Sequence, residues 1–416
     1  MAAVEPRLAY VYHPRSFPTL SLVAAARGLC RLVWVIDSTD PEAASMARLL
    51  GRTGEVVDLA GAADDEAAER VMTASPDGIV TLADEHLALT AALAERLGLG
   101  FHSAEVAERL TDKALQRAAL SAAGLPAPRL WVLDGPDDLD ALAGDGPYPA
   151  VVKPRRGQGS RDTVPVGSAD EAREFLAERW TETPRRPFVL EEYIPDGPPG
   201  VAGAGFADYV SVEAYVERGV FVPLATNGRT PPANPFRETG FFIPSALEPA
   251  LEDEVVAMAE ASARALGVER GCLHVEVKLA PTGPVVIEVN GRVGGGVPEM
   301  LADVAGVDLL AVAMRLALGL DPGVGRMPAT TGVAFVLYLQ APSGMSRVES
   351  VEGLEAIRAL EGVAEVELRR GPGQAVDWRE GNHGHVASVR GTARGDDHLR
   401  ELLGSIETLF RVVGSR

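Results

Sequence analysis

The stretch CLHVEVKLAPTGPVVIEVNGRVGGG, residues 272–296, brings His274, Glu276, Glu288, Asn290 and Arg292 into one short segment. Apolar and polar residues alternate from Leu273 to Leu279 and again from Val286 to Asn290, with Ala-Pro-Thr-Gly between, the pattern of a β-hairpin. With Pro281, Thr282 and Gly283 as a three-residue loop and Gly283 left-handed, the strands pair about Thr282. Glu276 then faces Glu288, and His274 faces Asn290. Carboxylates opposed across two strands lie with Cβ atoms roughly 4.5–5.5 Å apart, where like charges are destabilising. A divalent cation removes that repulsion, and Mg²⁺ takes one or two carboxylates together with substrate phosphates. The hairpin therefore reads as a shelf for Mg²⁺ and a nucleoside triphosphate. A solvated acidic sheet face has the same pattern, so the rest of the chain must decide.

The elements that would position this hairpin follow a clear order. Short strands at Leu8, Leu32, Val56 and Gly78 alternate with helices, which predicts a parallel α/β domain. No Gly-x-Gly-x-x-Gly follows the first strand, so a dinucleotide site is not indicated. Two helices are expected over 103–124, the second starting at Thr111-Asp112-Lys113, with Lys113 and Arg117 on one face. Residues 149–194 read as a small α/β lid. Its strand Ala150–Lys153 ends in a lysine and runs into the basic glycine loop Arg155-Arg-Gly157-Gln-Gly159-Ser160-Arg. Such a loop offers free N–H groups and cations to a polyphosphate. Phe188–Ile194 is an apolar strand ending in Glu191 and Glu192, a hinge whose backbone suits adenine and whose carboxylates suit ribose hydroxyls. Pro195–Asp208 reads as a mobile surface excursion, 210–216 and 220–225 as paired strands, Asn227–Pro244 as irregular, and 252–266 as a helix. The end of the chain reads as strand (333–339), helix (351–360), strand (364–369), strand (385–392) and helix (396–411). His383-Gly-His385 lacks further ligands at a metal-binding spacing.

Bulk properties narrow the partners. The chain has 416 residues and a net charge of −20, which argues against nucleic-acid or anionic-membrane binding. Its two cysteines, Cys30 and Cys272, make neither a disulfide framework nor a zinc pattern. With no signal-like start and no long apolar run, a cytoplasmic location is expected.

Taken in order, Lys113, Val152-Lys153-Pro154 with the glycine loop to Ser160, Leu190-Glu-Glu-Tyr-Ile194, Glu276, and Glu288-x-Asn290-x-Arg292 resemble the ATP-grasp superfamily across nearly the whole chain. The stretches Glu288–Gly296 and Glu238-Thr-Gly-x-x-x-Pro-Ser245, with the final strand–helix unit, look like the L-amino acid ligases within it. The resemblance implies a mixed α/β and α+β fold. Its parts would be a Rossmann-like α/β domain at 1–110, a helical lead-in and lid at 111–194, a catalytic and metal subdomain at 195–325, and a C-terminal antiparallel-sheet unit at 326–416.

The resemblance also implies roles. Lys113 and Lys153 would neutralise phosphate oxygens, Gly157, Gly159 and Ser160 would cover the phosphates, and Glu191, Glu192, Tyr193 and Ile194 would hold adenine and ribose. Glu276, Glu288 and Asn290 would hold Mg²⁺, expected as two ions with Mn²⁺ as a substitute. ATP would phosphorylate a donor carboxylate, and an acceptor amine would then displace phosphate. Arg292 and the N–H groups of Gly294, Gly295 and Gly296 would stabilise the oxyanion. Glu213, Arg229, Glu238, Phe241 and Arg292 fall where the amino acids would bind. Related ligases often carry histidine where this chain has Phe241, and lysine where it has Arg229. Amino acids are thus the expected partners, with a homodimer as one expected assembly. The competing expectations are a carboxylase of the biotin-carboxylase or purine-pathway type, and a nucleotide sensor without catalysis.

Overall fold

The computed structural model describes residues 5–142, 146–181 and 186–415. The first layer is a parallel sheet in the order Glu55–Asp58, Arg31–Ile36, Arg7–Val11, Gly78–Val80. Apolar runs such as RLVWVI are buried on both faces, as a parallel sheet covered by helices requires. Trp34 is fully buried and meets Tyr10 and Tyr12 edge-on at 5.5 and 5.7 Å. The chain leaves the carboxyl end of the edge strand Gly78–Val80 and reaches Asp84 within a few residues.

Asp112 caps the helix Lys113–Ala122, accepting from the N–H of Ala114 at 3.0 Å. The lid is an antiparallel sheet ordered Leu130–Leu133, Phe188–Glu192, Ala150–Pro154, Val164–Val166. It therefore starts before residue 149. Leu133, Val152, Leu176 and Phe188 form its core beneath the helix Ala169–Arg179.

The largest sheet has eight strands, in the order Gly283–Asn290, Arg270–Ala280, Tyr209–Glu217, Val220–Arg229, Gly240–Ile243, Val333–Leu339, Ala387–Ala393, Val363–Leu368. All neighbouring pairs in it are antiparallel. The helix Pro249–Leu266 packs on it through Val255, Val256, Ala259, Ala263 and Leu266 and ends at left-handed Gly267.

Several expectations change here. Asn227–Pro244 is not irregular throughout: the strand Val220–Arg229 runs on to Arg229, and Gly240–Ile243 joins the hairpin half of the sheet to the C-terminal half. The cross-strand pairing this creates sets Arg229 opposite Phe241. Pro195–Asp208 is pinned down, because Phe206 is buried against Phe242 with ring centroids 4.3 Å apart. A strand, Arg347–Glu352, and the short helix Leu354–Arg358 replace the helix expected at 351–360. The strand Arg411–Ser415 pairs with Arg347–Glu352 beyond the last helix, Asp396–Leu409. Among the described residues no helix is long and apolar enough to cross a membrane.

Candidate active site

The hairpin sets His274 opposite Asn290 and Glu276 opposite Glu288, as its sequence predicts. The route to that register is different. The turn holds two residues, Pro281 and Thr282, with Ala280 paired to Gly283. That pairing continues to Val277 opposite Val286, and a bulge at Ile287 then shifts the register by one. The Ile287 carbonyl accepts a hydrogen bond from Arg117 Nη2. Without the bulge, Glu288 would point to the other face of the sheet.

The two carboxylates have separate partners. Glu288 lies 2.8 Å from Lys113 Nζ, and Glu276 lies 3.3 Å from His274 Nε2. Burial alone would raise the Glu276 carboxyl, but His274, Arg229 and Arg292 outweigh it and hold it at about 2. Asn290 is buried, its amide 3.4 Å from the His274 carbonyl. Among the described residues no three His, Cys, Asp or Glu side chains form a metal cage. Two carboxylates and an amide fit Mg²⁺, which completes its shell with phosphate oxygens and water, better than they fit a metal held by protein alone.

Behind Glu288 lies a cluster of buried charge. Glu191 is 4 % exposed and sits between Arg117 and Lys153, pairing with both. Burial opposes its ionisation, yet these two cations hold its carboxyl at about 2. Lys153 is pushed below its ordinary value, because burial, Arg117 and Lys113 together outweigh Glu191. Three cations, Lys113, Arg117 and Lys153, thus share two carboxylates, Glu191 and Glu288. Arg117 Nη1 is buried without a hydrogen-bond partner. A phosphate chain would supply the missing negative charge and the missing acceptor.

The glycine loop stands over this cluster. Gly157 (φ 152°), Gly159 (φ 67°) and Ser160 (φ 55°) adopt the backbone region that favours glycine, which turns the loop inward. Lys113 Nζ donates to the Gly157 carbonyl at 2.8 Å, and Gln158 Nε2 donates to Glu85 Oε1 at 2.6 Å. Asp112 anchors the loop base through Arg155 at 2.9 Å and Arg156 at 3.2 Å. At the hinge, the Glu192 carboxylate is taken by Arg129 and the Tyr193 hydroxyl donates to Asp196 at 2.8 Å. Ile194 is half-buried. The side chain of Glu191 is directed at Lys153 and Arg117, while Glu192 meets the exposed Arg129.

On the other side of Glu276 is a second buried polar cluster. Glu213 is buried, pairs with His274 Nδ1, accepts from Asn227 Nδ2 at 2.8 Å, and accepts from the N–H of Gly294 at 3.3 Å. Glu213 therefore supports the glycine turn and His274. Burial lowers the His274 imidazole, but Glu213 and Glu276 reverse this and raise it. Arg229 pairs with Glu238, donates to Ser211 Oγ at 2.9 Å, and stacks over Phe241 at 5.1 Å and Tyr209 at 5.6 Å. Arg229 Nε and Asn227 Oδ1 are buried without hydrogen-bond partners. Arg292 Nε donates to Asp84 Oδ2 at 2.9 Å, across the contact with the N-terminal domain. A Cβ on Gly294 would lie 2.6 Å from His274 Nδ1, whereas one on Gly295 would meet nothing within 4 Å. Gly296 (φ 74°) is the N-cap of the helix Val297–Ala305, so the Gly294–Gly296 backbone lies at that helix's positive end.

Arg292, Gly295, Gly296, Glu276, Glu288 and Asn290 thus lie along one edge, Lys113 and Lys153 on one flank, and Arg229, Glu238 and Phe241 on the other. Asp84, Arg117, Asn227 and His274 join this cluster, although no role follows for them from the sequence. The signal for Asp84 was an acidic pair just past the carboxyl end of a parallel strand, where ligands gather in such sheets. Arg117 shares a helix face with Lys113.

Residues 146–299 match a family described as ATP-grasp domain. Carnosine synthase 1 of Gallus gallus is 30% identical over 295 residues, covering 64% of this chain and 30% of that protein. The chain spans less than two thirds of the length of the first curated relatives it matches. An L-amino acid ligase from Bacillus licheniformis superposes with a TM-score of 0.76 at 21% identity, covering 99% of both chains. The biotin carboxylase domain of a Hydrogenobacter thermophilus 2-oxoglutarate carboxylase, in complex with MgADP, ADP and bicarbonate, superposes with a TM-score of 0.65 at 17% identity, covering 99% of this chain and 91% of that one. The chain carries an ATP-grasp domain, has the ATP-grasp fold, and resembles the L-amino acid ligases.

Proposed function

We propose that this chain is an ATP- and Mg²⁺-dependent ligase that joins the carboxylate of one amino acid to the amine of another, releasing ADP and phosphate. One observation carries the reading. The strand that presents Glu288 and Asn290 runs directly into Arg292 and the Gly294–Gly296 turn. Phosphate and acyl chemistry are therefore built on adjacent residues of one strand end. The names of the carnosine synthase relative and the L-amino acid ligase neighbour agree with this class of reaction.

In the first step a donor carboxylate oxygen attacks the γ-phosphorus and ADP leaves, giving an acyl phosphate. Lys113, Lys153 and Arg117 stabilise the phosphate charge, while the Gly157–Ser160 loop excludes water. Glu276, Glu288 and Asn290 would hold Mg²⁺, which would supply positive charge to neutralise the phosphates. In the second step the acceptor amine attacks the acyl carbon through a tetrahedral oxyanion. Arg292 and the N–H groups of Gly295 and Gly296 stabilise that oxyanion, and Asp84 holds the guanidinium in place. Phosphate leaves as the amide forms and takes up the proton that the amine gives up. Arg229, with an unpartnered Nε, suits a free substrate carboxylate, and Asn227 Oδ1 suits an ammonium. Phe241 and Tyr209, stacked on Arg229, form an aromatic wall where a histidine is common in related ligases.

A matrix of twenty donors by twenty acceptors, read by phosphate release and by mass, tests the proposal. At least one pair should give an amide with stoichiometric phosphate. ATP turnover stimulated by bicarbonate and indifferent to every amine would instead indicate a carboxylase. Turnover with no pair and no bicarbonate response would defeat both.

A further inference from the structure

The segment Trp378–Gly384, between the strands Val363–Leu368 and Ala387–Ala393, belongs to neither the nucleotide cluster nor the amino-acid pocket, yet it touches both. On one side it docks on the glycine loop. The N–H of Asn382 donates to the Gly159 carbonyl at 2.9 Å, and the N–H of Asp162 donates to the Arg379 carbonyl at 3.2 Å. This approach depends on glycine. A Cβ on Gly381 (φ 62°) would fall 2.1 Å from the Gly159 carbonyl oxygen and 2.8 Å from Arg161 N. On the other side the Asn382 side chain clasps Glu238. Its Oδ1 accepts from the N–H of Glu238 at 2.9 Å, and its Nδ2 donates to Glu238 Oε2 at 3.3 Å. Gln340 Nε2 donates to the Glu238 carbonyl at 2.7 Å, and the Asn382 carbonyl is itself held by His385 Nδ1 at 2.8 Å.

Glu238 pairs with Arg229, which reaches His274 Nε2 at 3.3 Å and, through it, Glu276. One residue therefore joins the loop over the phosphates to the arginine of the amino-acid pocket. We propose that Asn382 is a positioning residue that makes the phosphate-covering loop and the amino-acid pocket close together, with positive coupling between ATP and the amino acid. This rests on the ligase reading for the identity of the pocket's ligand, but not for the coupling itself. Closure of the loop on nucleotide fixes Asn382, Asn382 fixes Glu238, and Glu238 holds Arg229 in the pose a substrate carboxylate meets. Linkage makes the effect reciprocal.

Hydrogen exchange on the full chain tests it with Mg²⁺ and the non-hydrolysable analogue AMP-PNP as the probe, so no amino acid need be known. In the wild type the probe should slow exchange both in the loop, 157–162, and around Glu238, 236–240. Asn382→Ala should keep at least part of the loop protection and lose that at 236–240, about threefold or more in rate. Protection at 236–240 that survives in Asn382→Ala overturns the proposal, as does a wild type protected in the loop alone. Failure of the ligase reading shows up separately, as absence of any amide in the substrate matrix with the exchange pattern intact.

Discussion

Glu191→Gln removes the one carboxylate between Arg117 and Lys153 while keeping its shape. Glu191 is 4 % exposed, so neither cation it pairs with can turn to bulk water without moving the lid. Lowering its carboxyl from 4.5 to about 2 corresponds to about 3 kcal/mol in favour of the folded, charged form. Breaking a buried ion pair by removing one partner typically costs about 3–5 kcal/mol, a figure of the same size. The depressed value of Lys153 points the same way, since that lysine is already short of counter-charge and the substitution leaves it shorter. The expected result is a loss of about 3 kcal/mol at pH 7 in urea denaturation, followed by tryptophan fluorescence, to which Trp131 and Trp180 of the lid contribute. Because the folded carboxyl is depressed, the wild type's advantage is complete above its unfolded value of 4.5 and declines as pH falls toward about 2. By pH 3.5 it should have shrunk by about 40%. Mg²⁺ with AMP-PNP should narrow the gap at pH 7, because phosphate oxygens stand in as counter-charge. Equal stability of the two proteins at pH 7, or a difference that stays flat from pH 7 to pH 3.5, would refute the reasoning.

Other substitutions separate the parts of the site. Asp84→Asn should loosen Arg292 and slow amide formation about 10–10²-fold, with AMP-PNP affinity nearly unchanged by calorimetry; a parallel loss of nucleotide affinity would argue that Asp84 acts elsewhere. Glu288→Gln should cut Mg²⁺-dependent phosphate release about 10²-fold or more, read in a Mg²⁺ titration, and unaltered turnover would remove Glu288 from the metal site. Gly294→Ala, whose Cβ would press on His274 and Glu213, should destabilise the chain by about 1–3 kcal/mol. Gly295→Ala, with open space at its Cβ, should change stability by less than about 0.5 kcal/mol. Turnover lost in Gly295→Ala without loss of stability would locate the reacting carbonyl in that space, while equal stability of the two variants would contradict the packing described.

The parts of this molecule that were legible in its sequence are those governed by local pattern. Helix 41–50, with Pro41 at its start and the Asp40 side chain accepting from the N–H of Glu42, follows directly from capping chemistry. The opposition of Glu276 and Glu288 was legible as well, although two departures from the expected turn cancelled. A two-residue loop displaced the register by one, and the Ile287 bulge displaced it back. Alternation alone marks faces, and a bulge is invisible in it. What stayed hidden depends on contacts distant in sequence. Asp84 meets Arg292 across 208 residues, and Asn382 meets Glu238 across 144. Arg229 opposite Phe241 needed the strand Gly240–Ile243, whose four residues are too short and too uniformly apolar to show a period. His274 carried no assigned role because its partner Glu213 lies 61 residues away on another strand, while Glu276 is two residues along its own.

The continuous eight-stranded sheet bears on any attempt to build chimeras from this chain. Gly319–Met327, a glycine- and proline-bearing linker without helix or strand, is a natural point for exchanging the C-terminal unit as a cassette. The four-residue strand Gly240–Ile243, however, is flanked by Val220–Arg229 on one side and Val333–Leu339 on the other. A cut at the linker strips one flank and leaves Phe241 to Ile243 as a raw apolar edge, open to pairing with another chain. The same cut also removes Asn382 from Glu238 and Gly159. A viable hybrid would have to import 240–243 and its matching register along with the C-terminal unit, so the transferable block is discontinuous in the gene although it is contiguous in the sheet.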